Sequence, residues 1–125
     1  MNEYNANGQR EGYWVETTNM GYFHKKWYSN AVLNGLFEDY FTNGQLRRRI
    51  IFKNGVRNGI SEEYLENGRL DSRLVYKDDK LHGFCESYWW TGEVYYKGVF
   101  KDGLEIGFFI EGIETKDEIF NVFYL

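Results

Sequence analysis

The stretch Gly59-Ile60-Ser61-Glu62-Glu63-Tyr64-Leu65-Glu66-Asn67-Gly68-Arg69-Leu70-Asp71-Ser72-Arg73-Leu74-Val75-Tyr76-Lys77 decides how this chain is read. It holds two strand-like runs, Gly59 to Leu65 and Arg69 to Lys77, with Asn67-Gly68 between them. Asn-Gly suits a type I′ turn, in which both central residues take positive φ and the turn follows the twist of the strands. With Asn67 and Gly68 central, Glu66 faces Arg69. Counting outward, Tyr64 faces Asp71, Glu62 faces Arg73 and Ile60 faces Val75. The expected unit is therefore a β-hairpin with an apolar pair and an opposite-charge pair on one face.

Working outward, the same pattern recurs. Gly35, Gly59, Gly83 and Gly107 follow one another at intervals of 24 residues. Gly44, Gly68 and Gly92 lie nine residues after the first three, and Gly55, Asp79 and Gly103 lie eleven further on. Tyr40, Tyr64 and Tyr88 keep a fixed offset from the leading glycine, as do Phe52, Tyr76 and Phe100. An earlier unit from Gly12 to Gly35 keeps Gly21 but is one residue short before Tyr28. Asn7-Gly8-Gln9-Arg10-Glu11-Gly12 matches Asn54-Gly55-Val56-Arg57-Asn58-Gly59, which reads as a longer glycine-bounded loop between hairpins. The chain thus divides into a partial unit at 1–11, units at 12–34, 35–58, 59–82 and 83–106, and a C-terminal cap at 107–125.

The register count repeats with the units. Leu36 falls opposite Ile51, Glu38 opposite Arg49 and Tyr40 opposite Arg47. Phe84 falls opposite Val99, Glu86 opposite Lys97 and Tyr88 opposite Tyr95. The alternate face carries Phe37, Phe41, Leu46, Ile50, Phe52, Leu65, Leu70, Leu74 and Tyr76. It is the more apolar face and is expected to be the core side. One such hairpin cannot cover its own apolar surface, so neighbours are expected to stack on one another. The expected fold is all-β, an elongated twisted sheet made from an array of antiparallel β-hairpins. Ile119-Phe120-Asn121-Val122-Phe123-Tyr124-Leu125 reads as a last strand, closing a final hairpin with Phe108, Phe109 and Ile110.

Composition agrees. The chain has 125 residues, 20% aromatics and no proline, enough for one domain and suited to continuous strands. A net charge of −4 argues against a nucleic-acid binder. One cysteine, Cys85, and two separated histidines, His24 and His82, leave no disulfide framework or zinc cluster. With no basic-then-apolar leader, and no apolar run near the roughly 18 residues that span a bilayer, a cytoplasmic location is expected.

Tyr96-Lys97-Gly98-Val99-Phe100-Lys101-Asp102-Gly103-Leu104-Glu105-Ile106-Gly107 resembles a MORN repeat (membrane occupation and recognition nexus). The other units resemble the bacterial MORN variant, with its Asn-Gly, aromatic, Lys and closing Gly. The resemblance covers about Gly8 to Gly107. Gly98 has no glycine counterpart at Ile50 or Leu74, and Asp79 stands where Gly55 and Gly103 do. The resemblance implies a twisted hairpin array used for binding and scaffolding, with no catalysis and no cofactor. Bacterial variants of the family often resemble antitoxin or immunity proteins.

The candidate sites have two readings each. The carboxylate column Glu38, Glu62 and Glu86 suggests metal or acid–base chemistry. Its repeating partners Arg49, Arg73 and Lys97 favour simple cross-strand neutralisation. Tyr40, Tyr64 and Tyr88 read first as packing between units and secondly as a partner-binding stripe. Trp89 accompanies that column from the other face. Trp90 stands at a turn shoulder, where the repeat has no need of it: it is a binding anchor or it packs over a neighbouring hairpin. Lys53, Lys77, Lys101 and Arg47-Arg48-Arg49 read as solvated strand ends rather than as a phosphate site. Cys85 reads as half-buried, and His82 as structural. Gly35, Gly44, Gly59, Gly68, Gly83, Gly92 and Gly107 are structural.

The expectation is a non-enzymatic protein-binding module, of an inhibitor or antitoxin-like kind, with a protein partner. A self-associating assembly component and a membrane-surface phosphoinositide binder are the alternatives.

Overall fold

A computed structural model describes residues 1–109, with side chains described through Phe108. Among these residues eleven strands form one antiparallel sheet: β1 Glu3–Tyr4, β2 Arg10–Thr17, β3 Phe23–Ser29, β4 Val32–Tyr40, β5 Leu46–Lys53, β6 Val56–Tyr64, β7 Leu70–Lys77, β8 Lys80–Leu81, β9 Gly83–Tyr88, β10 Val94–Lys101 and β11 Leu104–Phe109. Spatial order follows chain order from β1 to β7 and on through β9, β10 and β11, with β8 also paired to β7. The sheet is elongated, largely flat and open, since β1 and β11 are not joined into a barrel. The expected last strand from Ile119 to Leu125, with Ile110, lies outside the described residues, as does the side chain of Phe109. Among the described residues no helix is long and apolar enough to cross a membrane.

Inside the hairpins, Leu36 opposes Ile51 and Glu38 opposes Arg49. Ile60 opposes Val75 and Glu62 opposes Arg73. Phe84 opposes Val99 and Glu86 opposes Lys97. Near the turns the count differs. Tyr64 faces Leu70, not Asp71; Tyr40 faces Leu46, not Arg47; and Tyr88 faces Val94, not Tyr95.

The cause is the turn. The Leu65 N–H donates to the Arg69 carbonyl at 2.8 Å, and the Gly68 N–H to the Leu65 carbonyl at 2.9 Å. Three residues, Glu66 to Gly68, therefore form the loop. Gly68 has φ +90, while Asn67 is not at positive φ. The loop is thus the three-residue kind that ends in a left-handed glycine, and the type I′ expectation fails here. Phe41–Gln45 and Trp89–Glu93 repeat its hydrogen bonds. The longer loop shifts the register by one, and a one-residue bulge shifts it back between Tyr64 and Glu63. The surplus residues are Asp71, and equivalently Arg47 and Tyr95. The β2–β3 hairpin pairs from Gly12–Tyr28 to Thr17–Phe23 with no shift. Its missing residue is the bulge.

Type I′ geometry occurs at the other connection, which is not a long loop. Asn54 and Gly55, at φ +50 and +84, join Lys53 to its partner Val56. Asn30-Ala31, Asp78-Asp79 and Asp102-Gly103 do the same. Each turn reaches back along the sheet. The Ala31, Gly55, Asp79 and Gly103 N–H groups donate to the carbonyls of Arg10, Leu33, Arg57 and Leu81 at 2.8–2.9 Å. These bonds offset the roughly 1–2 kcal/mol that a left-handed conformation costs Ala31 or Asp79. The N-terminal turn departs from its expected match to Asn54-Gly55. The Asn5 N–H donates to the Gln9 carbonyl and the Gly8 N–H to the Asn5 carbonyl, the three-residue pattern again.

Gly59 shows why the leading position is glycine. Its φ is +130, and a Cβ there would sit 3.3 Å from the Ile51 side chain. Gly35 against Trp27 and Gly83 against Val75 repeat that fit, so a side chain of each hairpin lies on bare backbone of the next. Gly107 stands opposite Val99.

The core is thin. Among the apolar residues described, Trp14, Tyr28, Cys85 and Val99 are buried. The expectation of one core face is corrected: Trp14, Asp39, Ser61 and Cys85 are buried on one face, and Glu38, Glu86 and Val99 on the other. A single layer has no inside, so burial comes from neighbours within the same row. Cys85 is also corrected, from half-buried to 1% exposed, opposite Gly98.

Candidate interaction site

Strand alternation puts every second side chain on one face, and the register lines them up across the sheet. Lys25, Glu38, Arg49, Glu62, Arg73, Glu86 and Lys97 oppose one another in turn from β3 to β10. The result is a ladder of alternating sign. Arg49 contacts Glu38 at 3.2 Å, and Arg73 contacts Glu62 at 2.9 Å and Glu86 at 3.2 Å. Lys97 lies 4.0 Å from Glu86. Opposite charges directly across a strand pair contribute about 0.2–1 kcal/mol each.

The tyrosine column serves this ladder. The Tyr64 hydroxyl donates to Glu62 at 3.0 Å and the Tyr88 hydroxyl to Glu86 at 2.5 Å, while Tyr40 lies beside Glu38, which accepts from the Tyr13 hydroxyl at 3.5 Å. All three rings are half-buried. Burial first, and the neighbouring carboxylate second, push the Tyr40 and Tyr88 phenols up to about 12. Tyr64 is raised from the same causes. The columns are thus engaged with one another, which leaves little of either for a ligand. Among the described residues no three His, Cys, Asp or Glu side chains are grouped to hold a metal ion.

The open chemistry lies at the β9–β10 turn. Trp89 is 50% exposed, Trp90 75% and Tyr95 57%. Trp90 therefore does not pack over a neighbouring hairpin. Trp89 and Tyr95 meet edge to face at 4.6 Å between ring centres, an arrangement favoured by the ring quadrupoles. The Arg69 guanidinium, from the preceding hairpin, donates to the Thr91 carbonyl at 2.5 Å and the Trp90 carbonyl at 3.3 Å. Beside it lies an open cleft of about 490 Å³, lined by Arg69, Leu70, Tyr88, Thr91, Gly92 and Glu93.

Tyr95 was not among the sequence candidates. It is the surplus residue of its hairpin, in the position of Arg47 and Asp71. Arg47 and Arg48 are consecutive yet both contact Asp39, at 3.4 and 2.8 Å, so the bulge turns its residue onto the neighbour's face. The same turn brings Tyr95 to Trp89. The signal available in sequence was the shorter first unit, which marks one position as dispensable.

The remaining candidates are accounted for locally. Arg47 and Arg48 are paired to Asp39, and Arg49 to Glu38. Lys53, Lys77 and Lys101 are exposed. His82 accepts the Asp102 N–H through Nδ1 at 3.3 Å. Burial raises the Cys85 thiol, which disfavours the thiolate a nucleophile needs. Neither a scan against protein-family models nor a search of curated proteins finds a match.

Proposed function

We propose that this all-β domain is a non-enzymatic protein-binding module, built as a twisted MORN-like array of hairpins. Trp89, Trp90 and Tyr95 form its anchor. The carrying observation is the exposure of two tryptophans and a tyrosine together at one turn, held from behind by Arg69. Exposed aromatic clusters beside polar rims are the surfaces on which binding energy concentrates. The role that fits best is an inhibitor, antitoxin-like in kind, in which an acidic module of net charge −4 covers a basic cleft of its partner. A lipid-headgroup role is less well supported. The arginine cluster is paired with carboxylates, and Asp78, Asp79 and Asp102 are interleaved with the exposed lysines of the turn edge.

The test is affinity capture from the native host with the wild-type chain and with Trp90→Ala. The expected result is a specific protein retained by the wild type and bound roughly 30-fold or more weakly by the variant, the loss of one hot spot. Retention of no specific protein, or equal retention by both chains, contradicts the proposal.

A further inference from the structure

The outer border of β2 is covered in an unusual way. β1 pairs with β2 only at Glu3–Glu11 and Tyr4–Arg10. Beyond these positions the border would be bare backbone, and bare edges pair with other strands. Asn2 occupies it instead. The Val15 N–H donates to the Asn2 side-chain oxygen at 2.7 Å, and the Asn2 side-chain nitrogen donates to the Val15 carbonyl at 3.1 Å. The Asn2 backbone N–H donates to the Tyr13 carbonyl at 2.7 Å. In an antiparallel pair one residue exchanges both an N–H and a C=O with the residue opposite. The carboxamide of Asn2 makes that exchange with Val15, standing in for the peptide group of a missing strand. Asn2 is held at φ +56 to do so. The segment also shelters an aromatic side chain. Tyr4 packs edge to face on Trp14 at 5.1 Å, and the Trp14 indole N–H donates to the Glu3 carbonyl at 3.1 Å. Trp14 is 6% exposed under this cover.

We propose that the outer border of β2 is a strand-docking site for a second copy of this chain, held closed by Asn2. The occupant follows from the groups that Asn2 covers. A two-fold pairing of β2 with its own copy, Val15 opposite Val15, uses the same Val15 N–H and C=O and satisfies both copies at once. That register sets Glu16 against Trp14 and Thr17 against Tyr13, with no like charges opposed. Displacing residues 1–4 would also uncover Trp14, adding apolar area for the second copy to bury. The proposal is independent of the aromatic anchor at the β9–β10 turn.

The experiment compares sedimentation of the wild type, Asn2→Ala and Asn2→Ala/Val15→Pro, with hydrogen exchange read at the Val15 amide. Proline removes the outward N–H that docking requires. The expected result is a dimerisation constant at least about tenfold higher for Asn2→Ala than for the wild type, with the increase lost in the double variant. Two sedimentation results overturn the proposal: a folded Asn2→Ala that associates no more than the wild type, or a double variant that associates as strongly as Asn2→Ala. If the variants do not fold, the wild type still decides. A protected Val15 amide is required, and exchange at the rate of an unprotected amide overturns the closed state.

Discussion

Arg73 is the side chain on which two hairpins meet. Its guanidinium reaches Glu62 within its own hairpin and Glu86 in the next, and Glu86 is only 9% exposed. Arg73→Ala takes from that buried carboxylate the nearer of its two cations, leaving Lys97 at 4.0 Å. The arginine itself is 43% exposed, so water screens part of the loss. The expected cost is about 1–2 kcal/mol, read as a lower urea midpoint, with partial recovery in Arg73→Lys. An unchanged midpoint would remove the ladder from the account of stability. The tyrosines give a pH test. Their phenols titrate higher in the folded chain than unfolded, because burial and the adjacent carboxylates disfavour the phenolate. Their contribution is therefore complete below the ordinary tyrosine value and declines as pH rises from about 10 towards the value of about 12 for Tyr40 and Tyr88. Phenolate absorbance should rise in two stages, the later one accompanying loss of the sheet signal in circular dichroism. A single rise at the ordinary value with the sheet intact would contradict this.

At the scale of the strand and turn, two errors cancel. Counting from a two-residue turn at Asn67-Gly68 puts Glu62 opposite Arg73, and the sheet has them opposite. The turn is one residue longer than counted, and Asp71 takes up the difference. Hydrophobic and charge alternation made the middle of each hairpin readable, because a slip of one residue would turn every side chain to the other face. The turns were not readable in the same way: Asn-Gly serves both loop types, and only backbone φ separates them. Asn2 was invisible for a related reason, since a carboxamide imitating a peptide group leaves no periodic trace. The bulge yields a deletion test. Removing Asp71 converts the third hairpin to the form of the first, which pairs without a shift, and should cost less than about 1 kcal/mol. Removing Leu74 instead puts Ser72 in the ladder and turns Arg73 to the other face, and should cost markedly more in a denaturant melt. Equal costs would show that Asp71 is not surplus.

As a whole, the molecule is a sheet without a second layer among its described residues. Strands pair in chain order, except that β9 pairs with β7 past the two-residue β8, and stability approximates a sum over adjacent hairpins. Burial is shallow for the same reason, and Glu38, Asp39 and Glu86 are as covered as the few buried apolar side chains. Among the described residues such a scaffold leaves most side chains of both faces partly exposed. The claim beneath this reading is that hairpins join side by side through the ladder. Nuclear Overhauser contacts in the isotope-labelled chain test it most directly. The prediction is backbone contacts across the borders between hairpins, Arg49 with Glu62 and Arg73 with Glu86, as strong as those within them. Hairpins that are paired internally but silent across those borders, or contacts between sheet faces, would contradict it.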